Sequence, residues 1–217
     1  MTTMRAFAQE PEPAPVIDAP AASASATAAT ILPEAPPEAP PPLPRKKGLV
    51  LASSLGVLGF AGQFRHVAPP APWMHLTLGY EFFKWLTPFV EGEVAYTDTS
   101  VAQDPSKAHS FPILGFGGGL RSTFMLTERV ALFGQVDVGL MKADVPKQAL
   151  LIVGFANAEA FNSYFGARLG VEWYQVDRHF ALGAEGGVRD ASGFAKQGGS
   201  SDTPLMWDAA ATIRYTF

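Results

Sequence analysis

Residues 48 to 217 alternate apolar and polar positions with a period of two, the mark of strands whose two faces meet different surroundings. The pattern is clearest where Met74, Leu76, Leu78, Tyr80 and Phe82 fall on one face and His75, Thr77, Gly79 and Glu81 on the other. After a turn around Lys84, Val90, Gly92, Val94 and Tyr96 stand opposite Glu91, Glu93, Ala95 and Thr97. Leu114, Phe116 and Leu120 oppose Gly115, Gly117, Gly119 and Arg121, and Val130, Leu132, Val136, Val138 and Leu140 oppose Gln135 and Asp137. Phe165, Leu169, Val171 and Trp173 oppose Arg168 and Glu172; Phe180, Leu182 and Val188 oppose Glu185 and Arg189. The last strand sets Trp207, Ala209, Ala211, Ile213, Tyr215 and Phe217 against Asp208, Thr212, Arg214 and Thr216. A strand over about 48 to 63 alternates less cleanly and completes a set of eight.

Tight turns near Lys84, Thr127 and Asp177 join strands two to three, four to five and six to seven. The other connections, near 65–71, 99–109, 143–161 and 190–203, are mostly longer and richer in proline, glycine and serine. An even strand number with short turns at one end and longer loops at the other describes an outer-membrane barrel. Volume decides which face is inside. Eight strands enclose a space only just wide enough for side chains. The large apolar residues would overfill it, whereas the glycines interleaved with Glu81, Glu91, Glu93, Arg121, Asp137, Arg168, Glu172, Glu185, Arg189, Asp208 and Arg214 fit. The expected fold is all-β: an eight-stranded antiparallel up-and-down transmembrane β-barrel with a disordered Pro/Ala-rich N-terminal arm. A soluble lipocalin-like carrier is the alternative, with its apolar face turned inward.

Two segments carry a family resemblance. The ending Ile213, Tyr215 and Phe217, with apolar alternate positions and a terminal aromatic, resembles the signal read by the barrel assembly machinery of the outer membrane. The hairpin Leu78-Gly79-Tyr80-Glu81-Phe82 with Val90-Glu91-Gly92-Glu93 resembles the OmpA/OmpX-like small barrels. The resemblance spans about residues 48 to 217 and implies an outer-membrane location with lipid around the barrel. In departure from the OmpA type, a C-terminal peptidoglycan-binding domain is not expected.

The N-terminal residues differ in character. Residues 9 to 44 hold eleven of the nineteen prolines and no lysine or arginine, with Glu10, Glu12, Asp18, Glu34 and Glu38 as the only charges. Such a stretch cannot bury enough apolar surface to offset the entropy of ordering it. The expected organisation is a signal-peptide remnant over 1–8, a disordered periplasmic arm over 9–47 and the barrel over 48–217. The arm's reach is on the order of 100 Å if it is extended. Ala6-Phe7-Ala8 before Gln9 has the form of a signal cleavage site, and its apolar region would be encoded upstream of the present start. A rival reading takes Arg45-Lys46-Lys47 and Leu49 to Phe60 as the signal, at the cost of an odd strand number.

Charge and composition remove several functions. No run of 18 apolar residues is present, so a membrane-spanning helix is not expected. Cysteine is absent, which excludes disulfides and thiolate chemistry. A net charge of −4 does not provide the basic stripe that nucleic acid requires.

The lumen carboxylates and arginines, seven against four, are the one dense constellation. They read as a salt-bridge plug that sets strand register, or alternatively as an ion pathway. Glu91 and Glu93 offer too few oxygens for a hard cation, so neither metal nor cofactor is expected. Gly117-Gly118-Gly119 lacks the Lys-Ser/Thr of a phosphate loop and more simply lets bulky neighbours cross the barrel. The apolar stretch Ala149 to Ala160 reads as a short helix or rim patch contacting lipid or a partner, or as a continuation of strands five and six.

A lipid-modifying enzyme would need a base near a nucleophile. His109 beside Ser110, with His66 nearby, is the candidate, but acidic partners are few there and no complete set falls on one strand face. The resulting expectation is a non-enzymatic structural or interaction protein whose arm tethers a periplasmic partner. A gliding-motility complex is one envelope machine of that kind. A narrow pore is the principal alternative.

Overall fold

The computed structural model describes residues 48–99, 110–146, 148–175, 179–198 and 202–217. The expected arm and signal remnant, the turn at Asp177 and the residue His109 lie outside the described residues. Eight strands form: β1 (Leu49–Phe60), β2 (Ala71–Tyr80), β3 (Leu86–Asp98), β4 (Ser110–Met125), β5 (Val130–Ala143), β6 (Asn162–Tyr174), β7 (Phe180–Ala191) and β8 (Leu205–Thr216). Each pairs antiparallel with the next, and β1 pairs with β8 to close the barrel. Closure satisfies every ladder and leaves no edge, as a lipid environment demands.

The period-two pattern sorts the faces as expected. Leu55, Val90 and Leu169 on the outer face are 63%, 60% and 73% exposed, while Arg168, Glu172 and Asp208 on the inner face are buried. A soluble carrier would reverse these two lists. No helix among the described residues is long and apolar enough to cross a membrane; the crossing is made by strands.

Local chemistry makes the short turns. Thr127 Oγ1 accepts hydrogen bonds from the backbone N–H groups of Arg129 and Val130 at 3.2 and 3.0 Å, closing the β4–β5 turn. Phe83 and Leu86 exchange two backbone hydrogen bonds across the β2–β3 turn. Gly48 and Phe217 lie at this same end: Glu81 N–H donates to Gly48 O, and Phe217 N–H to Leu49 O.

The blurred first strand has a specific cause. Leu49–Phe60 is the strand that joins β2 to β8, so discarding it as a signal would open the barrel. Its inward positions change character along its length, from Ala52 and Ser54 among polar groups to Leu58 and Phe60 in an apolar cluster. Apolar residues therefore occupy both faces at one end, which erases the alternation.

Glycines on the inner face explain how long charged side chains fit. Across the ladders Glu93 stands opposite Gly115, Glu91 opposite Gly117, and Asp137 between Gly119 and Gly166. Arg168 and Asp208 flank Gly187, Glu185 faces Gly170, and Glu172 faces Gly183. Large and small alternate around the barrel, as a narrow interior requires. A Cβ added at Gly187 would lie 2.4 Å from Arg168 Cγ, close to the base of that side chain where it cannot swing away. The adjacent Gly186 points outward, where its nearest neighbour would be 3.5 Å away. Gly187→Ala should therefore lower stability by about 1–3 kcal/mol, and Gly186→Ala should change it by less than about 0.5 kcal/mol. Urea unfolding midpoints in lipid vesicles check both; equal effects would contradict this packing.

Candidate functional site

The inner face carries all eleven sequence-predicted charges, and each is buried. The strands sort them into two clusters along the barrel axis. Near the short-turn end, Arg214 pairs with Glu81 and donates through Nη1 to Glu172 Oε2 at 3.1 Å. Arg121 pairs with the other oxygen of Glu172 and stacks over the Phe133 ring at 3.5 Å, and Tyr174 Oη donates to Glu172 Oε2 at 2.9 Å. Two acids meet two arginines, so this cluster balances.

The cluster nearer the long loops does not balance. Arg189 donates to Glu93 Oε1 at 2.5 Å and to Asp208 Oδ2 at 2.9 Å. Arg168 Nη1 donates to Glu91 Oε2 at 3.2 Å, and the same guanidinium faces Asp137 and Asp208 at 3.6 and 3.7 Å. Together with Glu185, five carboxylates surround two arginines. His75 stands among these carboxylates. Its Nε2 lies 2.8 Å from Glu91 Oε2, its Nδ1 lies 3.9 Å from Glu185 Oε1, and its ring stacks on Trp73. The imidazole thus has a carboxylate near each of its two nitrogens. Trp73 Nε1 donates to Glu93 Oε2 at 2.8 Å and Tyr164 Oη to Glu91 Oε1 at 2.5 Å.

Sequence reasoning placed His75 on the inner face but did not count it, Trp73 or Tyr164 among the site residues. The signal was present in the alternation, since His75 and Glu81 share one parity of β2. For the two aromatics the parity marked an inward position, while their hydrogen bonds depend on β3 and on the width of the lumen.

Above the charges sits an apolar cap that the sequence reading did not anticipate. Phe60, Phe64, Phe155 and Phe194 pack together, with ring centroids 4.8 Å apart for Phe60–Phe64, 5.1 Å for Phe64–Phe155 and 5.0 Å for Phe64–Phe194. Leu58, Leu150, Ala158 and Met206 fill in around them. The stretch Ala149 to Ala160 is thus neither a rim patch alone nor a strand extension. Its Leu150, Phe155 and Ala158 turn inward over the barrel mouth, Ala156–Glu159 forms a single 3-10 turn, and Leu151 and Ile152 are the large apolar side chains of the stretch that stay exposed.

Side chains lock the loops to one another. Glu159 accepts from the N–H groups of Gln148 and Leu150, both at 2.8 Å. Asp202 accepts from Gln63 N–H at 3.0 Å and Lys196 N–H at 2.8 Å, joining the first and fourth loops. Gln197 N–H donates to Gly154 O, joining the fourth to the third.

The candidate catalytic groups do not assemble among the described residues. His66 is exposed and accepts from Arg65 Nε at 3.3 Å, and Ser110 is exposed at the start of β4. Thr77 Oγ1 approaches His75 at 3.3 Å, but through the same Nε2 that meets Glu91. One nitrogen cannot both take a proton from Thr77 and be oriented by Glu91 in the manner of a triad. Among the described residues no group of three metal-ligating side chains is present. Ile213, Tyr215 and Phe217 all face outward, with Tyr215 and Phe217 in edge contact at 4.8 Å.

No protein-family model matches the sequence, and no curated protein matches it. Solved structures do match. Neisserial surface protein A aligns over 80% of this chain and 100% of its own, at 12% identity and a TM-score of 0.55. The chain has the OmpA/OmpX-like eight-stranded outer-membrane barrel fold. Fainter likenesses are to Ail, the attachment invasion locus protein of Yersinia pestis, and to the outer membrane enzyme PagL. Ail aligns at 13% identity over 79% of this chain and 99% of its own, with a TM-score of 0.43. PagL aligns at 14% identity over 77% and 99%, with a TM-score of 0.44.

Two separate clusters make a quantitative prediction about coupling. Glu91→Gln and Arg168→Met sit in one cluster and should be non-additive by at least about 1 kcal/mol in a double-mutant cycle. Arg168→Met and Arg214→Met sit in different clusters and should add within about 0.5 kcal/mol. Unfolding free energies in lipid vesicles measure both, and strong coupling between the two arginines would show a single continuous network instead.

Proposed function

We propose that the protein is a non-enzymatic structural or interaction protein of the bacterial outer membrane. Its barrel is an anchor, and residues 9–47 are a periplasmic tether for a protein partner. The observation that carries this reading is the double closure of the lumen, by eleven buried charges with His75 and by the aromatic cap above them. A barrel filled in this way offers no aqueous path, because open channels belong to wider barrels. Its working surfaces are then the loops, the outward face toward lipid and the proline-rich arm. Ile213, Tyr215 and Phe217, facing outward at the end of β8, suit recognition by the barrel assembly machinery during insertion. The arm's length and composition suit an extended connector within an envelope assembly such as a gliding-motility complex.

Planar-bilayer recording tests the closed lumen. The purified protein should give no current steps above leak, and Phe64→Ala with Phe155→Ala, which thins the cap, should still give none because the charge clusters remain below. Reproducible steps that change on Glu91→Gln or Arg121→Met would establish a pore and retire the anchor reading of the lumen. Deleting residues 9 to 44 tests the tether. The shortened chain should keep a heat-modifiable barrel in the outer-membrane fraction and lose its co-purifying periplasmic protein; unchanged co-purification would sink the tether.

A further inference from the structure

On the flank formed by β5, β6 and β7, near the long-loop end, a groove of about 580 Å³ is cut into the outward face. Val138, Leu140 and Phe165 form its apolar part, and Ser163, Asp190 and Ser192 its polar part. Strand register explains the mixture. Leu182 and Val188 alternate outward along β7, and Asp190 is the next position of the same parity, paired across the ladder with Phe165. Ser192 Oγ donates to Ser163 O at 2.9 Å and lies 3.4 Å from Ser163 Oγ, which makes a short polar shelf beside the carboxylate.

Asp190 has no ion pair or hydrogen bond to any described residue through its side chain. Lys142, the outward-facing lysine of β5, is already taken: it holds Asp144 at 2.9 Å and lies over the Phe161 ring. The Asp190 side chain is exposed on the outward face, so its carboxylate is open to a cationic group brought by a ligand. The groove's volume lies within the range of small-molecule sites, roughly 300–1,000 Å³.

We propose that this groove binds an amine-headed phospholipid. The ammonium group meets the Asp190 carboxylate, the Ser163 hydroxyl donates to a headgroup oxygen, and one acyl chain lies along Val138, Leu140 and Phe165. Charge decides between occupants. A headgroup with only a phosphate would bring like charge to Asp190. A second copy of the barrel docked through the same patch would set two Asp190 carboxylates across a twofold interface.

Native mass spectrometry of the full-length protein, released from detergent after incubation with lipid, reads the site directly. The lipids are dioleoyl phosphatidylethanolamine and dioleoyl phosphatidylglycerol at equal concentration. Retention of the ethanolamine lipid should exceed that of the glycerol lipid on the order of fivefold, and Asp190→Asn should abolish the preference. Val138→Trp, which fills the apolar part from the lipid side, should lower retention of the ethanolamine lipid while leaving Asp190 in place. Heat-modifiability of each variant establishes that the barrel is folded, and Val138→Trp carries the test alone if Asp190→Asn does not assemble. Equal retention of the two lipids by the unaltered protein would overturn the proposal, as would an undiminished preference in Asp190→Asn. Retention of the glycerol lipid only when calcium is added would assign the groove to an anionic lipid bridged by a divalent ion. A lipid-independent dimer lost on Asp190→Asn would assign it to a second copy.

Discussion

The width of an eight-stranded barrel is the constraint on which the rest of this structure depends. The interior has room for side chains and little to spare beyond them. Each long charged group on β3, β5, β6 and β7 therefore borrows space from a glycine on a neighbouring strand, as Arg168 does from Gly187 and Asp137 from Gly166. The abundance of glycine in this half-apolar chain is a packing requirement, concentrated where the buried charges need clearance.

With that space filled, charge balance becomes the next question. The cluster at the short-turn end is internally neutral, while the acidic excess gathers around His75, Arg168 and Arg189. Burying charge is tolerable only when it is paired and hydrogen-bonded. Trp73 and Tyr164 contribute to that by donating to Glu93 and Glu91. The apolar cap then separates this network from the long-loop side. Together these layers fill the barrel interior.

The sequence was most legible where a single rule governed each position. In β2 through β8 one face meets lipid and the other the charged lumen, and the eleven charges that parity put on the inner face are buried there. It was least legible where the rule changed within an element. β1 passes from a polar to an apolar interior, and the loop between β5 and β6 carries apolar residues that serve neither lipid nor strand. Leu150 and Phe155 look, as sequence, like any exposed apolar run, yet they are buried by contact with Phe64 and Phe194 from other loops.

The sequence by itself determined the strands, their faces, the closed antiparallel order and the set of lumen charges, because alternation and turn length are local quantities. Only the tertiary structure decided which charges pair, where the acidic excess falls, and that the long-loop end is closed by aromatic packing. Those outcomes depend on distances across the lumen and between loops far apart in the chain. Tyr164 on β6 and Glu91 on β3 lie 73 residues apart in sequence and meet at hydrogen-bond distance across the lumen.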